Sequence, residues 1–200
     1  MVGELVESMR VIAGTYRSRR LRTLRGTDVR PTTDRLRETL FNVLAPRVEG
    51  AVWFDLYAGT GAVGIEALSR GARQVYFVEA SRRAADVIRQ NLRSLAVADG
   101  YEVLEHEVEP ALRQLEATGV TCDICFLDPP YRMERAYACA LDFLAKSRMM
   151  RTTSIVVAEH EKHFDPGGNF GALERYRELK QGDAVLSFYK LVGSRLPARS

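Results

Sequence analysis

The chain has 200 residues, 46% of them hydrophobic and 28% charged, with a formal net charge of +3 at pH 7. That length supplies the core of one α/β domain and leaves little for a second. No apolar run reaches the roughly 18–20 residues that span a bilayer, and the N-terminus lacks the basic-then-apolar pattern of a signal peptide, so a soluble cytoplasmic protein with no membrane partner is expected. A monomer is a separate expectation.

Residues 1–8 carry two glutamates and no periodic pattern, and are expected to form a disordered leader. Residues 10–13 and 20–24 read as short strands around a Gly14 turn and a basic loop, a hairpin. Arg30-Pro31-Thr32-Thr33 then breaks the chain, and Thr32 or Thr33 can cap a helix whose apolar positions Leu36, Leu40, Phe41 and Leu44 recur at helical spacing before Pro46. Residues 9–48 are thus an N-terminal hairpin and helix, 49–192 the main domain, and 193–200 a disordered tail. From Arg10 to Arg37 there are nine arginines against Asp28 and Asp34, which leaves the rest of the chain net acidic. A guanidinium fork suits bidentate phosphate contact, so the asymmetry reads as a nucleic-acid footprint, a solvated basic face being the alternative. The candidate contacts are Arg17, Arg19, Arg20 and Arg22, with Arg30, Thr32 and Arg35 beside them and Arg37 extending the path. The stretch 30–33 has a second reading, as a cover over a cofactor.

From Ala51 onward strands and helices alternate, which predicts right-handed crossovers and a mostly parallel sheet. Strands are expected at 52–56, 74–79, 101–105, 122–127 and 153–158, with helices at 62–70, 82–96, 109–117 and 133–146. In the second of these helices Ala85, Ile88, Leu92 and Leu95 form a core stripe. Residues 175–179 and 184–191 flank Gly182-Asp183 as a closing antiparallel hairpin. Cys122 and Cys125 match a C-x-x-C pattern. On a regular strand, positions three apart point to opposite faces, so these thiols are expected to diverge and to be buried and structural. His160 and His163 are too few to argue for a metal, and none is expected.

Asp55-Leu56-Tyr57-Ala58-Gly59-Thr60-Gly61, continued to Gly64, runs from a strand into a helix, and Glu79 ends the next strand. The spacing satisfies the dinucleotide fingerprint G-x-G-x-x-G plus acid, so an NAD-dependent oxidoreductase is one reading. Asp55 argues for another. A carboxylate there is awkward beside a pyrophosphate and welcome beside a cation. S-adenosylmethionine carries a sulfonium and an ammonium, and Asp55, Glu79, Asp128 and an acid from Glu105-His106-Glu107 bring several carboxylates to one crevice. In this reading Gly59 and Gly61 permit close backbone approach, with Tyr57, Ala58 and Thr60 in the same turn. Asp55 meets the amino-acid end directly or through water, Glu79, followed by Ala80, binds the ribose hydroxyls, and Glu107 accepts from the adenine amine, with Glu105 and Glu109 as alternatives.

Asp128-Pro129-Pro130-Tyr131 follows the apolar run 124–127. An exocyclic amine on a nucleobase is a poor nucleophile because its lone pair is delocalised, so a catalyst must orient it. The Asp128 carboxylate and the Pro129 carbonyl offer acceptors on a backbone stiffened by the Pro129-Pro130 pair, and Tyr131 offers a face for stacking an extruded base, a contact of ~1–3 kcal/mol. A strand followed by a proline turn is the plain alternative. The four residues grip any planar amine, so DNA adenine or cytosine methylation is open alongside RNA, and the arginines alone would suit a non-catalytic RNA-binding module.

The chain resembles the bacterial small-subunit ribosomal RNA guanine-N2 methyltransferases of the RsmD type. The match lies in Arg10-Val11-Ile12-Ala13-Gly14, in the stretch from Arg30-Pro31-Thr32-Thr33-Asp34 through Arg37-Glu38-Thr39-Leu40-Phe41-Asn42, in the glycine loop with Gly64-Ile65-Glu66-Ala67-Leu68-Ser69-Arg70-Gly71, and in Leu127 with the Asp-Pro-Pro-Tyr motif. It covers roughly residues 9–191. The resemblance implies a Rossmann-like class I S-adenosylmethionine-dependent methyltransferase, with a seven-stranded, mostly parallel sheet closed by an antiparallel hairpin. It also implies methylation of one guanine amino group in 16S rRNA, within an assembled or assembling small ribosomal subunit. Glu107-Val108 departs from the family's usual Asp or Asn followed by a small residue, and residues 1–8 have no counterpart there.

Overall fold

A computed structural model describes residues 9–23, 34–130 and 133–192. The first helix, α1 (Asp34–Val48), buries Leu36, Leu40, Phe41 and Leu44 as the helical spacing requires. It runs two residues past Pro46, because Val48 is buried and the Arg47 guanidinium donates to the Thr153 carbonyl, which hold the last turn in place. The expected cap, Thr32 or Thr33, lies outside the described residues, as do residues 1–8 and 193–200.

Then come β1 (Val52–Leu56), α2 (Ala62–Ser69), β2 (Gln74–Val78), α3 (Arg82–Ser94), β3 (Tyr101–Leu104), α4 (Val108–Ala117), β4 (Cys122–Leu127), α5 (Glu134–Lys146), β5 (Met150–Glu161), β6 (Asn169–Phe170), β7 (Leu173–Gln181) and β8 (Ala184–Leu191). The strands form one sheet in the order β3-β2-β1-β4-β5-β8-β7-β6. Pairing is parallel from β3 to β5 and antiparallel from β5 to β6. The two-residue β6 adds an eighth strand to the seven expected. β5 is longer than the expected 153–158 because Met150 pairs with Cys122 of β4 at one end and Glu159, His160 and Glu161 continue the ladder with β8 at the other. One face of the sheet packs α1, α2 and α3 around Trp53, Phe77 and Phe126, and the other packs α4 and α5 around Phe54, Cys125 and Leu127. Both faces of a parallel strand are therefore dry, which is why β1 is buried at every position.

The N-terminal hairpin carries one antiparallel bridge, Arg10 with Arg20, flanked by bonds from the Val11 amide to the Arg19 carbonyl and from the Leu21 amide to the Met9 carbonyl. Other donors of the hairpin reach outside it. Ile12 and Ala13 donate to the Glu66 carboxylate at 2.8 and 3.0 Å, Thr15 donates to the Ser69 carbonyl, and Tyr16 to the Ser69 hydroxyl. Residues 9–23 are thus an arm laid across α2 and α3, held by tertiary hydrogen bonds as well as by its own cross-strand bonds. Gly14 makes this close approach possible: at φ +82° a Cβ there would lie 1.8 Å from the Ser69 carbonyl oxygen.

Cys122 and Cys125 correct the expectation of diverging thiols. Both are buried on the α4–α5 face of the sheet, and their side chains are hydrogen-bonded to one another. A register irregularity between Cys122 and Ile124 shifts the alternation by one residue, so positions three apart meet on one face. They are free thiols, and burial pushes the Cys122 thiol up. His160 is buried, with Nε2 2.9 Å from the Ser187 hydroxyl. Among the described residues, no helix is long and apolar enough to cross a membrane.

Candidate active site

The strand order reverses direction between β1 and β4, and at such a switch point the flanking loops part and leave a crevice at the C-terminal strand ends. Two loops meet there. Leu56 and Leu127 are paired in register, and the Asp128 amide lies 3.4 Å from the Leu56 carbonyl. Asp128 is half-buried, Pro129 is buried and Pro130 is exposed. The Pro130 carbonyl accepts from the Met133 amide at 2.7 Å, which turns the chain toward α5. Tyr131, the expected stacking surface, lies outside the described residues.

The opposite wall is the glycine loop. Tyr57 takes a positive φ of 61°, a strained conformation for a residue with a side chain, where the chain leaves β1. Ala58 then donates to the Val78 carbonyl, and Gly61 to the Ala58 carbonyl. Glu79 ties the loop to β2: Oε2 accepts from the Gly59 amide and Oε1 from the Ser81 amide, both at 2.8 Å. Those bonds align the carboxylate and leave each oxygen a lone pair for a hydroxyl donor. Ala80 beside it is exposed. Burial raises the Glu79 pKa, the two backbone amides oppose that rise, and Glu107 adds to it by repulsion.

Asp55 is placed differently from the expectation. It lies behind the glycine loop and is 2% exposed, with Oδ2 accepting from the Gly64 amide at 2.8 Å. Burial first, then repulsion from Glu79, push its pKa up to about 8 against the opposing Gly64 bond. A hydrogen bond from a helix N-terminus to a carboxylate orients the first turn of α2 toward β1. Gly64 is small for the same reason, since a Cβ there would lie 2.3 Å from the Phe77 ring and 2.9 Å from Asp55 Oδ2.

Of the three acids near the end of β3, Glu105 pairs with Arg89 at 3.1 Å and Glu109 with Arg113 at 2.6 Å. Glu107 precedes α4 without bonding its helix amides through its side chain. With Tyr57, Val108, Leu112, Met133 and Cys139 it lines a cleft of about 820 Å³ between α4 and α5. Glu109 lines the same cleft with its carboxylate paired to Arg113, so the pairing and not the cleft distinguishes it from Glu107. Burial raises the Tyr57 phenol to about 12, and Glu107 contributes to that shift.

These donors and acceptors fit S-adenosylmethionine. Glu79 and Glu107 repel one another, an arrangement that hydroxyl and amine donors of a ligand ease and a pyrophosphate aggravates. A Cβ at Gly59 would meet nothing within 4 Å, so the loop backbone faces open space where a ligand can approach.

The arginines divide. Arg17, Arg20 and Arg35 are exposed. Arg19 donates to the Ser94 carbonyl at 2.7 Å and Arg22 to the Gln90 carboxamide at 3.3 Å, so both are also anchors to α3. Arg30 and Thr32 lie outside the described residues. Arg37 does not extend a phosphate path, because it is fully buried, donating to the Arg10 carbonyl and to Asp34 with Glu66 3.9 Å away. The sequence reading also passed over Asn91, a fully buried polar residue on α3. Its one signal was an uncharged amide on the core side of an arginine-rich helix.

A family model described as "Conserved hypothetical protein 95" matches residues 9–190. YlbH of Bacillus subtilis is 34% identical over 92% of this chain and all of its own length. "Ribosomal RNA small subunit methyltransferase D" of Haemophilus influenzae is 35% identical over 77% of this chain and 79% of its own. The solved structure of yhhF from Escherichia coli superposes with a TM-score of 0.78 at 31% identity, covering 92% of this chain and 98% of that one. The chain therefore belongs to the family described as Conserved hypothetical protein 95, and its fold is that of the class I S-adenosylmethionine-dependent methyltransferases.

Proposed function

We propose that this protein methylates the exocyclic N2 amine of one guanine in 16S rRNA, in an assembled or assembling small ribosomal subunit, with S-adenosylmethionine as donor. The observation that carries the reading is the register of β1 with β4, which sets Asp128 beside the glycine loop and its Glu79 clasp. S-adenosylmethionine, when bound, supplies an electrophilic methyl group on a sulfonium. The chain's own residues orient the other reactant. The Asp128 carboxylate and the Pro129 carbonyl accept the two amine hydrogens, and the buried Pro129 ring keeps that pair of acceptors from turning away. Asp128 need not be a strong base, because the amine becomes acidic only after it gains the methyl group. No metal and no covalent intermediate enter. The substrate assignment draws on the relatives' names and on the exposed arginines, and the guanine rests on the family resemblance.

Nucleoside mass spectrometry of small-subunit rRNA from cells with and without the gene tests it. One N2-methylguanosine should disappear with the gene, whereas methyl loss confined to DNA would move the activity to an adenine or cytosine amine. The basic arm has its own test. Replacing Arg17 and Arg20 together by alanine is expected to reduce the slope of log affinity for RNA against log salt by about one to two, since each phosphate contact contributes ~0.7–0.9. An unchanged slope would remove both residues from the interface.

A further inference from the structure

We propose that Asn91 is a positioning residue that couples occupancy of the cofactor loop to occupancy of the RNA-binding arm; this rests on the function proposed above. Asn91 is fully buried on α3, yet it makes no hydrogen bond to its own helix through its side chain. Its carboxamide reaches out in two directions. Oδ1 accepts from the Arg22 amide at 2.8 Å and Nδ2 donates to the Arg22 carbonyl at 3.2 Å, the paired pattern of a neighbouring strand. The second Nδ2 hydrogen goes to the Thr60 carbonyl at 3.1 Å, between the two loop glycines Gly59 and Gly61. One planar group thus holds the arm and the loop to each other. Thr60 is gripped again from the arm, by its hydroxyl to the Met9 sulfur at 3.7 Å.

The geometry makes the link mutual. A planar amide cannot tilt to follow a displaced Thr60 without weakening both bonds to Arg22. Ordering of the loop by a ligand therefore orders the arm backbone at Arg22, next to exposed Arg20. Linkage requires the converse: RNA that immobilises the arm tightens the loop by the same factor. Asparagine suits this position because it offers one acceptor and two donors to three backbone groups. Aspartate would set an acceptor against two carbonyls, and alanine would leave all three without a partner.

The probes are S-adenosylhomocysteine and small subunits from cells lacking the gene. Saturating S-adenosylhomocysteine should raise affinity for the subunits by about fivefold or more in the natural protein, within the usual range of such coupling. In Asn91→Ala the ratio should fall below about twofold. A natural ratio of one, or an equal ratio in a folded Asn91→Ala protein, overturns the proposal. Hydrogen exchange on the natural protein covers the case in which the variant fails to fold: S-adenosylhomocysteine should slow exchange at the Arg22 amide with no RNA present. Binding of the ligand with no change at Arg22 overturns the coupling. Failure of the ligand to bind at all would instead overturn the cofactor reading on which it stands.

Discussion

Asp128→Ala is expected to lower turnover by about 10²-fold or more while affinity for S-adenosylmethionine is kept. The size follows from what a positioned polar partner contributes when it acts on the reacting atoms and not on the ground-state complex. Cofactor affinity survives because the loop is held without Asp128: Gly59 is clasped by Glu79, Ala58 by the Val78 carbonyl, and Thr60 by Asn91. Asp128→Asn should fall between the two, since it keeps one carbonyl acceptor and turns the other into a donor facing the amine's own hydrogens. Turnover and calorimetric affinity measured on the same preparations separate the roles. Parallel losses in both would make Asp128 a cofactor ligand only.

Glu66→Ala is expected to cost about 3–5 kcal/mol of stability, the range for removing one partner of a buried ion pair. Glu66 is fully buried and accepts from the Ile12 and Ala13 amides and from Arg70 Nε at 2.7 Å. It also faces Arg37, whose own burial lowers its pKa and which relies first on Glu66 and then on Asp34 to oppose that effect. Without the carboxylate, a buried guanidinium loses its main counter-charge and two arm amides lose their acceptor. Glu66→Gln should cost less, because it preserves shape and one acceptor. Urea denaturation reads both, as a midpoint shift at constant slope. A loss under about 1 kcal/mol for the alanine variant would show that the arm does not depend on this carboxylate.

Local order was legible wherever apolar periodicity and turn chemistry agreed. β1 and β4 fall on the expected residues, and α2 to α5 begin and end within two residues of the expected bounds. The crossover pattern led directly to the switch point where Asp128 and the glycine loop meet. Expectations failed where a group's partner is distant in the chain. Arg37 reads as a surface cation from its place near Arg35, yet its partners, the Arg10 carbonyl and Glu66, come from other elements. Cys122 and Cys125 were assigned opposite faces because nothing in six residues marks the register irregularity.

The sequence by itself determined the parallel sheet, the order of its helices, the glycine loop and the proline motif, because each rests on contacts or backbone constraints spanning a few residues. Only the tertiary structure decided which charges are buried and what they hold. Asp55 is drawn behind the loop, Glu66 and Arg37 tie the arm to α2 and α1, and Asn91 ties it to the glycine loop. Burial of a polar group is decided by partners that folding brings from far along the chain, 69 residues away for Asn91 and Arg22. No local pattern encodes them.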